Sequence, residues 1–413
     1  MISFNKNVFM CSGAVNSCIY DFNSNKLYHY QRLEEEFLSY VIGKDSSQLQ
    51  LNETEKTALS FLMSCGIITE ASEKEFNDGK INIEKNNSDI TMVWIEVTTR
   101  CNLFCKHCYD EASSKCTGEM SVEDFKYVAD ELYDYGVKNI QFIGGEPLVL
   151  GDKLKSMIDY ASKLFQGIEV FTNGTLINQN WIDTFKQYDV KIALSIYSYI
   201  PEMHDKVTGI PTSFSKTVHS IELLKINEIK YRTATVYMDG VDTGNKNTDL
   251  FTINPQKDIV RMIGRANLKL LNPNLLKRKL ITRKSFERPI NMKLFNKTIS
   301  GHNCFSHRLY ISYNLDVYPC VMERRIKHGS LHNKHLEEVV KPKIFNISKD
   351  HVEGCKDCEF RYCCFDCRPD SLSDDVYAKP WYCTYDPYIG EWLDENSFIS
   401  QILNDAKQGG KNV

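Results

Sequence analysis

The sequence predicts an α/β protein: a partial (β/α)6 barrel, preceded by a winged-helix-like α+β module and followed by a cysteine-rich domain. Three observations predict it. Apolar, β-rich runs alternate with helical stretches over residues 91–300, the pattern of parallel strands joined by crossover helices. Residues 1–85 read instead as three short strands followed by two helices. Eight of the 15 cysteines fall between 304 and 383, where long periodic segments are lacking. The expected domains are therefore 1–85, 91–300 and 301–413.

Within residues 1–85, the runs NVFMCS, CIYDF and KLYHY are separated by Gly, Asn and Ser turn signals. LEEEFLSYVIG and NETEKTALSFLMSCG carry apolar residues at helical spacing, the second opened by Asn52 as a cap. Residues 71–90 are polar and linker-like. The barrel strands are TMVWIEV, VKNIQFI, GIEVFT, VKIALSI, YRTATVYM and LKLLN. VEDFKYVADELYDYG and KLKSMIDYASKLF are the helices between the first of them. Chemistry in such barrels sits at the carboxyl ends of the strands. The basic run LKRKLITRKSFER reads as a solvated helix face in preference to a substrate-binding element.

The chain has 413 residues, 42% of them hydrophobic and 25% charged, with a net charge of −4. That balance gives no global argument for nucleic acid or for anionic membranes. The start, MISFNKNVFMCSGAV, lacks the basic and apolar regions of a signal peptide. There is no apolar run of about 18 residues, so no membrane span is expected. The expected compartment is the cytoplasm. There, cysteines in dense groups read as metal-ligating or redox-active rather than disulfide-bonded.

CNLFCKHC spaces Cys101, Cys105 and Cys108 as C-x3-C-x2-C, directly after the first barrel strand. Three thiolates on one loop can hold a corner of a four-iron cubane and leave one iron open. A structural zinc site normally asks for four protein ligands, often as two C-x2-C knuckles, and no partner knuckle lies nearby. With these residues the chain resembles the radical S-adenosylmethionine superfamily, whose signature is CxxxCxxC after the first strand. The resemblance implies that the open iron chelates the methionine amino and carboxylate groups of the cofactor. Reductive cleavage then yields a 5′-deoxyadenosyl radical that takes hydrogen from the substrate, and a flavodoxin or ferredoxin supplies the electron.

Gly144, Gly145, Glu146 and Pro147, after the second strand, resemble the family's GGEP motif, which hydrogen-bonds the methionine amino group. Paired glycines let the backbone approach a ligand, and a carboxylate suits an ammonium. Asn173 in FTNGT and Ser195 in IALSIYS match family polar positions near the cofactor, Ser195 at the ribose. Taken alone, TNG is a turn and Ser195 a strand hydroxyl.

The second group runs Cys304-x15-Cys320-x34-Cys355-x2-Cys358-x5-Cys364-x2-Cys367-x15-Cys383, with Cys363 beside Cys364. Close pairs mixed with long gaps suit cubane clusters built from distant loops. A zinc ribbon using Cys355/Cys358 and Cys364/Cys367 would leave Cys304, Cys320 and Cys383 idle. The arrangement resembles the SPASM extension of radical peptide maturases, which carries two auxiliary clusters and so implies three [4Fe-4S] clusters in all. Carried over by position, Cys355, Cys358, Cys364 and Cys383 hold one auxiliary cluster. Cys304, Cys320 and Cys367 hold the other through three sulfurs. Its fourth position falls to Cys363, His302 or His307, or stays open to a substrate thiolate. CKDCEFRYCCFDCRP is close to the branch of Cys-rich-peptide and grasp-associated maturases.

Winged helices often bind DNA, but residues 1–90 hold 8 Lys and Arg against 13 Asp and Glu, unlike a surface that displaces counterions from phosphates. In radical peptide maturases such a module binds the leader of a precursor peptide by adding a strand to a sheet edge. The leader is expected between the third strand, about Lys26–Tyr30, and the helices; a purely structural cap is the alternative. The resemblance implies an enzyme that matures a ribosomally made, Cys-rich precursor by thioether crosslinking. Carbon–carbon crosslinking, cyclopropane formation and dehydrogenation are its alternatives within the class. A cluster- or zinc-bearing winged-helix regulator is the reading from another class.

Overall fold

The computed structural model describes residues 1–81, 90–253, 258–371 and 373–407. Of the expected linker 71–90, residues 82–89 lie outside the described residues. The chain forms two compact units: Met1–Asn87 with Leu280–Asn303 and Asn346–Phe398, and Ser88–Lys279 with Cys304–Phe345 and Ile399–Val413. This division differs from three consecutive domains.

The first unit opens with β1 (Ile2–Phe4), β2 (Val8–Ser12), β3 (Asn16–Asp21), β4 (Lys26–Gln31), α1 (Arg32–Val41), α2 (Glu53–Ser64) and β5 (Ile68–Glu70). The strands β2, β3 and β4 make an antiparallel sheet with β4 at one edge, and β1 pairs with β5. β1 and β5 were not expected: strands of three residues are too short to show alternation. Asn52 caps α2 by accepting from the Glu55 N–H, and Glu55 accepts from Asn52 in return, a reciprocal pairing of helix-end donors.

All six residues of β3 are buried. Side chains alternate across a strand, and each face of β3 meets a different core. Ile19 packs with Phe4, Leu38 and Val41. Cys18 and Tyr20 pack with Phe295, Phe360, Tyr362 and Tyr385, and the Tyr20 hydroxyl donates to the Glu359 carbonyl. Residues 1–81 therefore bury one face of their sheet only with the help of the helix Met292–Ile299 and of the segment around residues 360–385.

The second unit contains β6 (Met92–Thr98), α3 (Val122–Asp134), β7 (Asn139–Gly144), α4 (Asp152–Ser162), β8 (Gly167–Thr172), α5 (Gln179–Gln187) and β9 (Lys191–Ser195). These are followed by α6 (Pro201–Thr208), α7 (Ser213–Ile226), β10 (Tyr231–Ala234), β11 (Arg308–Ile311), β12 (Asp316–Tyr318) and β13 (Gly329–Ser330). They build one mixed sheet of order β10-β9-β8-β7-β6-β11-β12-β13. Strands β10 through β11 are parallel, and β12 and β13 run antiparallel. Phe125, Val128 and Leu132 of α3 and Leu154, Met157 and Ile158 of α4 share a core with Ile140, Phe142, Ile168 and Val170 of the sheet.

Five of the six expected barrel strands are present as β6 to β10. The sixth, LKLLN, is instead a 3-10 turn at Leu268–Leu270, held by the Asn267 side chain accepting from Lys269 N–H. Pro273 follows closely and opens a separate helix, Pro273–Lys279, so the run is too short to extend a ladder. The parallel neighbour on the other side of β6 is β11, with Leu309 opposite Val93 and Ile311 opposite Ile95. This pairing draws residues 304–345 of the cysteine-rich segment into the barrel unit. Along the basic run, Leu275 and Leu276 are buried while Lys277, Arg278, Arg283 and Lys284 are exposed. No helix among the described residues is long and apolar enough to cross a membrane.

Candidate active site

A cleft in the second unit is lined by Cys101, Cys105, Cys108, Gly144, Gly145, Asn173 and Ser195. Gly144 and Ser195 end β7 and β9, and Asn173 directly follows β8. Each comes from a different loop or strand end, so the parallel sheet itself gathers them. Phe104 N–H donates to Thr208 at 2.9 Å and Lys106 N–H to Val207 at 3.0 Å, fastening the cysteine loop to the last turn of α6. Leu103 N–H donates to Cys101 Sγ at 3.4 Å, and Asn173 Nδ2 lies 3.9 Å from the same sulfur.

Burial pushes the Cys101 thiol up to about 12, and burial raises Cys105 and Cys108 as well. Three thiols that resist ionisation, grouped at the rim of one cleft, need a strongly positive partner to become thiolates. That donor set fits an iron–sulfur cluster. Among the described residues no three His, Cys, Asp or Glu side chains are grouped to hold a single ion; a cubane does not require it, because each thiolate takes its own iron.

The glycine pair is explained by the neighbouring strand. Gly145 N–H donates to Thr98 O at 2.7 Å and Glu146 N–H to Arg100 O at 2.8 Å. A Cβ at 144 would stand 2.2 Å from Thr98 O, and one at 145 would stand 2.3 Å from Arg100 O. Only glycine fits at either position.

Glu146 departs from expectation. Its carboxylate does not line the cleft; it is fully buried and accepts from Leu148 N–H at 3.0 Å, Thr172 Oγ1 at 2.7 Å and Asn173 N–H at 2.7 Å. Burial raises it to about 7 against the pull of those three donors. Its work here is to lock the end of β8 to the loop after β7, which fixes Asn173, and Pro147 opens the 3-10 turn that follows. A buried carboxylate must find donors, and two of these three are backbone N–H groups.

Two residues that carry no recognisable motif also hold the loop. Arg265 donates from Nε to Cys105 O at 2.9 Å and from Nη2 to Ala112 O at 2.8 Å. Its backbone N–H reaches Cys108 O at 3.0 Å, and its guanidinium sits 4.1 Å from the Phe104 ring centroid. Gly264 makes this approach possible: at φ +60°, a Cβ would meet Cys108 O at 2.4 Å. His107 and Tyr197, in edge-to-face contact at 4.8 Å, complete one wall. His107 lies inside the cysteine motif and was findable; Gly264 and Arg265 lie in a stretch without periodicity.

In the first unit, Cys355, Cys358, Cys364 and Cys383 line one cavity. Burial raises the Cys355 thiol to about 12 and raises Cys358 and Cys364 too. These three, with Cys383 as a fourth sulfur on the same wall, form a donor set that suits a cubane cluster. Cys363 is turned into the apolar cluster with Cys11, Cys18 and Tyr20 and does not line that cavity. His302 is buried 3.9 Å from Asp366, and burial holds it neutral, near 4. Cys304 and Cys320 belong to the second unit, and Cys367 and His302 to the first.

Residues 95–247 match the model of the radical SAM superfamily. Over 141 residues the chain is 39% identical to the antilisterial bacteriocin subtilosin biosynthesis protein AlbA of Bacillus subtilis, covering 34% of this chain and 31% of AlbA. The chain thus spans about a third of that relative's length. It is 26% identical over 362 residues to an AdoMet-dependent heme synthase of Oleidesulfovibrio alaskensis, covering 74% of this chain and 90% of the relative. The crystal structure of Streptococcus suis SuiB bound to precursor peptide SuiA superposes with a TM-score of 0.56 at 14% identity, over 92% of this chain and 99% of that one. At that identity the likeness is one of fold.

Proposed function

We propose, for a chain that carries a radical SAM domain over residues 95–247, that it matures a ribosomally made, Cys-rich peptide by forming thioether crosslinks. The observation that carries the radical reading is the single cleft gathering Cys101, Cys105, Cys108, Gly144, Gly145, Asn173 and Ser195 at the strand ends. When bound, S-adenosylmethionine and its cluster supply a carbon radical there, and auxiliary clusters supply electron acceptance and a Lewis acid for a thiol.

The protein's share is positioning. Arg265 and Gly264 hold the cysteine loop, the glycine pair keeps the backbone close, and Asn173 and Ser195 offer polar contacts to a nucleoside. Per crosslink the peptide gives up one hydrogen atom from carbon, one proton from sulfur and one electron, and gains one carbon–sulfur bond.

A peptide substrate is supported by the sheet of the first unit. A second cleft there is lined by the consecutive residues Leu27, Tyr28 and His29 of β4, facing Arg283, Phe286 and Trp392. Consecutive strand residues point to opposite faces, so a cleft that touches all three runs along the strand's free edge. Such an edge takes an added strand through backbone hydrogen bonds. We assign residues 1–85 as a winged-helix-like recognition module on this ground. The heme synthase relative motivates a tetrapyrrole as the second reading, but a tetrapyrrole has no backbone to extend β4.

The thioether assignment is tested by electron paramagnetic resonance. Wild-type precursor is expected to perturb the auxiliary-cluster spectrum, whereas precursor with its cysteines changed to serine docks and leaves it unchanged. Equal spectra with both precursors would reject a substrate thiol bound to an auxiliary cluster.

A further inference from the structure

The four-cysteine cavity of the first unit contains a charge that no cysteine motif announces. Lys349 lines it together with Cys355, Cys358, Cys364 and Cys383. The residue is only 5% exposed, and it shares the cavity wall with Cys364. Burying an ammonium is costly unless an anion answers it.

The buried carboxylate that answers Lys349, Asp366, is shared with a second cation. Asp366, 1% exposed, is paired with the fully buried Arg368 at 2.6 Å, and His302 beside it is neutral. Glu359 is also buried, but its carboxylate accepts from the Tyr385 hydroxyl and from His29 at 2.8 Å. Arg361, on the same cavity wall, spends its guanidinium on Asp350, Ser12 O and Cys358 O. The cavity is thus built to receive net negative charge at its sulfurs, and Lys349 is the cation aimed there.

We propose that Lys349, on the wall of that cavity, is a positioning residue for an iron–sulfur cluster held by Cys355, Cys358, Cys364 and Cys383, its ammonium raising the cluster's reduction potential. The inference rests on the reading of that cavity as an auxiliary cluster site. Reduction adds one negative charge to a cluster, and a buried ammonium stabilises the more negative form. Hydrogen bonds to sulfur and local net charge both set cluster potentials, and the low dielectric around a buried ammonium strengthens the effect. A raised potential makes this centre the better acceptor for an electron released by substrate oxidation.

The test compares wild type with Lys349→Met and Lys349→Arg, each reconstituted anaerobically in a Cys101→Ala/Cys105→Ala/Cys108→Ala background that removes the first cluster. Iron is counted, and midpoints are read from a redox titration followed by electron paramagnetic resonance. The relevant wave is identified by its loss in Cys358→Ala. Lys349→Met is expected to hold the same iron with this midpoint shifted to lower potential, and Lys349→Arg to stay close to wild type. Should Lys349→Met fail to take up the cluster, retention of iron and midpoint by Lys349→Arg still supports the charge, and loss in both variants overturns it. An unmoved midpoint at full iron overturns the role of Lys349 alone. A background that holds no iron overturns the auxiliary-site reading and the inference with it.

Discussion

Replacing Cys101, Cys105 and Cys108 together by alanine is expected to abolish S-adenosylmethionine cleavage and to remove about a third of the iron, the share of one four-iron cluster in three. The loss of cleavage should be complete rather than partial, since a cluster missing every protein ligand cannot be held in the cleft. Cys116 provides an internal control from the same stretch of chain. It bonds to Ser113 Oγ at 3.4 Å and does not line the cleft, so Cys116→Ala should leave iron and cleavage at wild-type levels. Iron quantitation and chromatography of 5′-deoxyadenosine read both effects. Cleavage that survives the triple replacement would remove the motif from the chemistry.

The second large effect is expected on the peptide side. Precursor stripped of its leader should be crosslinked roughly 100-fold more slowly or worse, the scale on which tethering raises effective concentration. Uncoupled S-adenosylmethionine cleavage should continue meanwhile. Leader peptide added in trans should compete with intact precursor, and leader N-methylated at alternate backbone positions should not, because an added strand needs its N–H groups. Deleting residues 1–85 is the blunter experiment. It would uncover Phe295, Phe360 and Tyr385, which share a core with Cys18 and Tyr20, and so mix loss of recognition with loss of fold. Equal turnover with and without leader would rule out recognition at β4.

The parts of the fold that were legible in the sequence are those whose pattern is local. The β6–β10 runs are continuous apolar segments between helices, and Asn52 announces α2 by its capping chemistry. The sixth strand was misplaced because LKLLN and RLYI are equally short apolar runs. What decides between them is partnership with β6, a contact between residues more than 200 positions apart. The split of the cysteine-rich segment between two units has the same origin: Leu309 and Ile311 are claimed by the sheet, whereas Phe360 and Tyr385 are claimed by β3.

At the site, Cys101, Cys105, Cys108, Gly144, Gly145, Asn173 and Ser195 were readable because their spacing relative to strand ends is itself the signal, and all of them line one cleft. Glu146 was readable as a position and not as a contact, since three donors from its own surroundings capture the carboxylate. Arg265 acts through a distant partner, Cys105 O, and Lys349 meets the four cysteines only on the wall of the folded cavity. A lone Arg between Gly264 and Ala266, or a lone Lys between Ser348 and Asp350, carries no pattern that would single it out.

The most direct test of the account is stoichiometric. The anaerobically reconstituted chain is incubated with S-adenosylmethionine, a reductant and a Cys-rich precursor peptide, and 5′-deoxyadenosine is counted against modified peptide by mass spectrometry. The account predicts one 5′-deoxyadenosine per crosslink, a peptide lighter by two hydrogens for each, and the corresponding cysteines no longer open to alkylation. A protein that binds zinc alone, or 5′-deoxyadenosine formed while every peptide cysteine stays free, would contradict it.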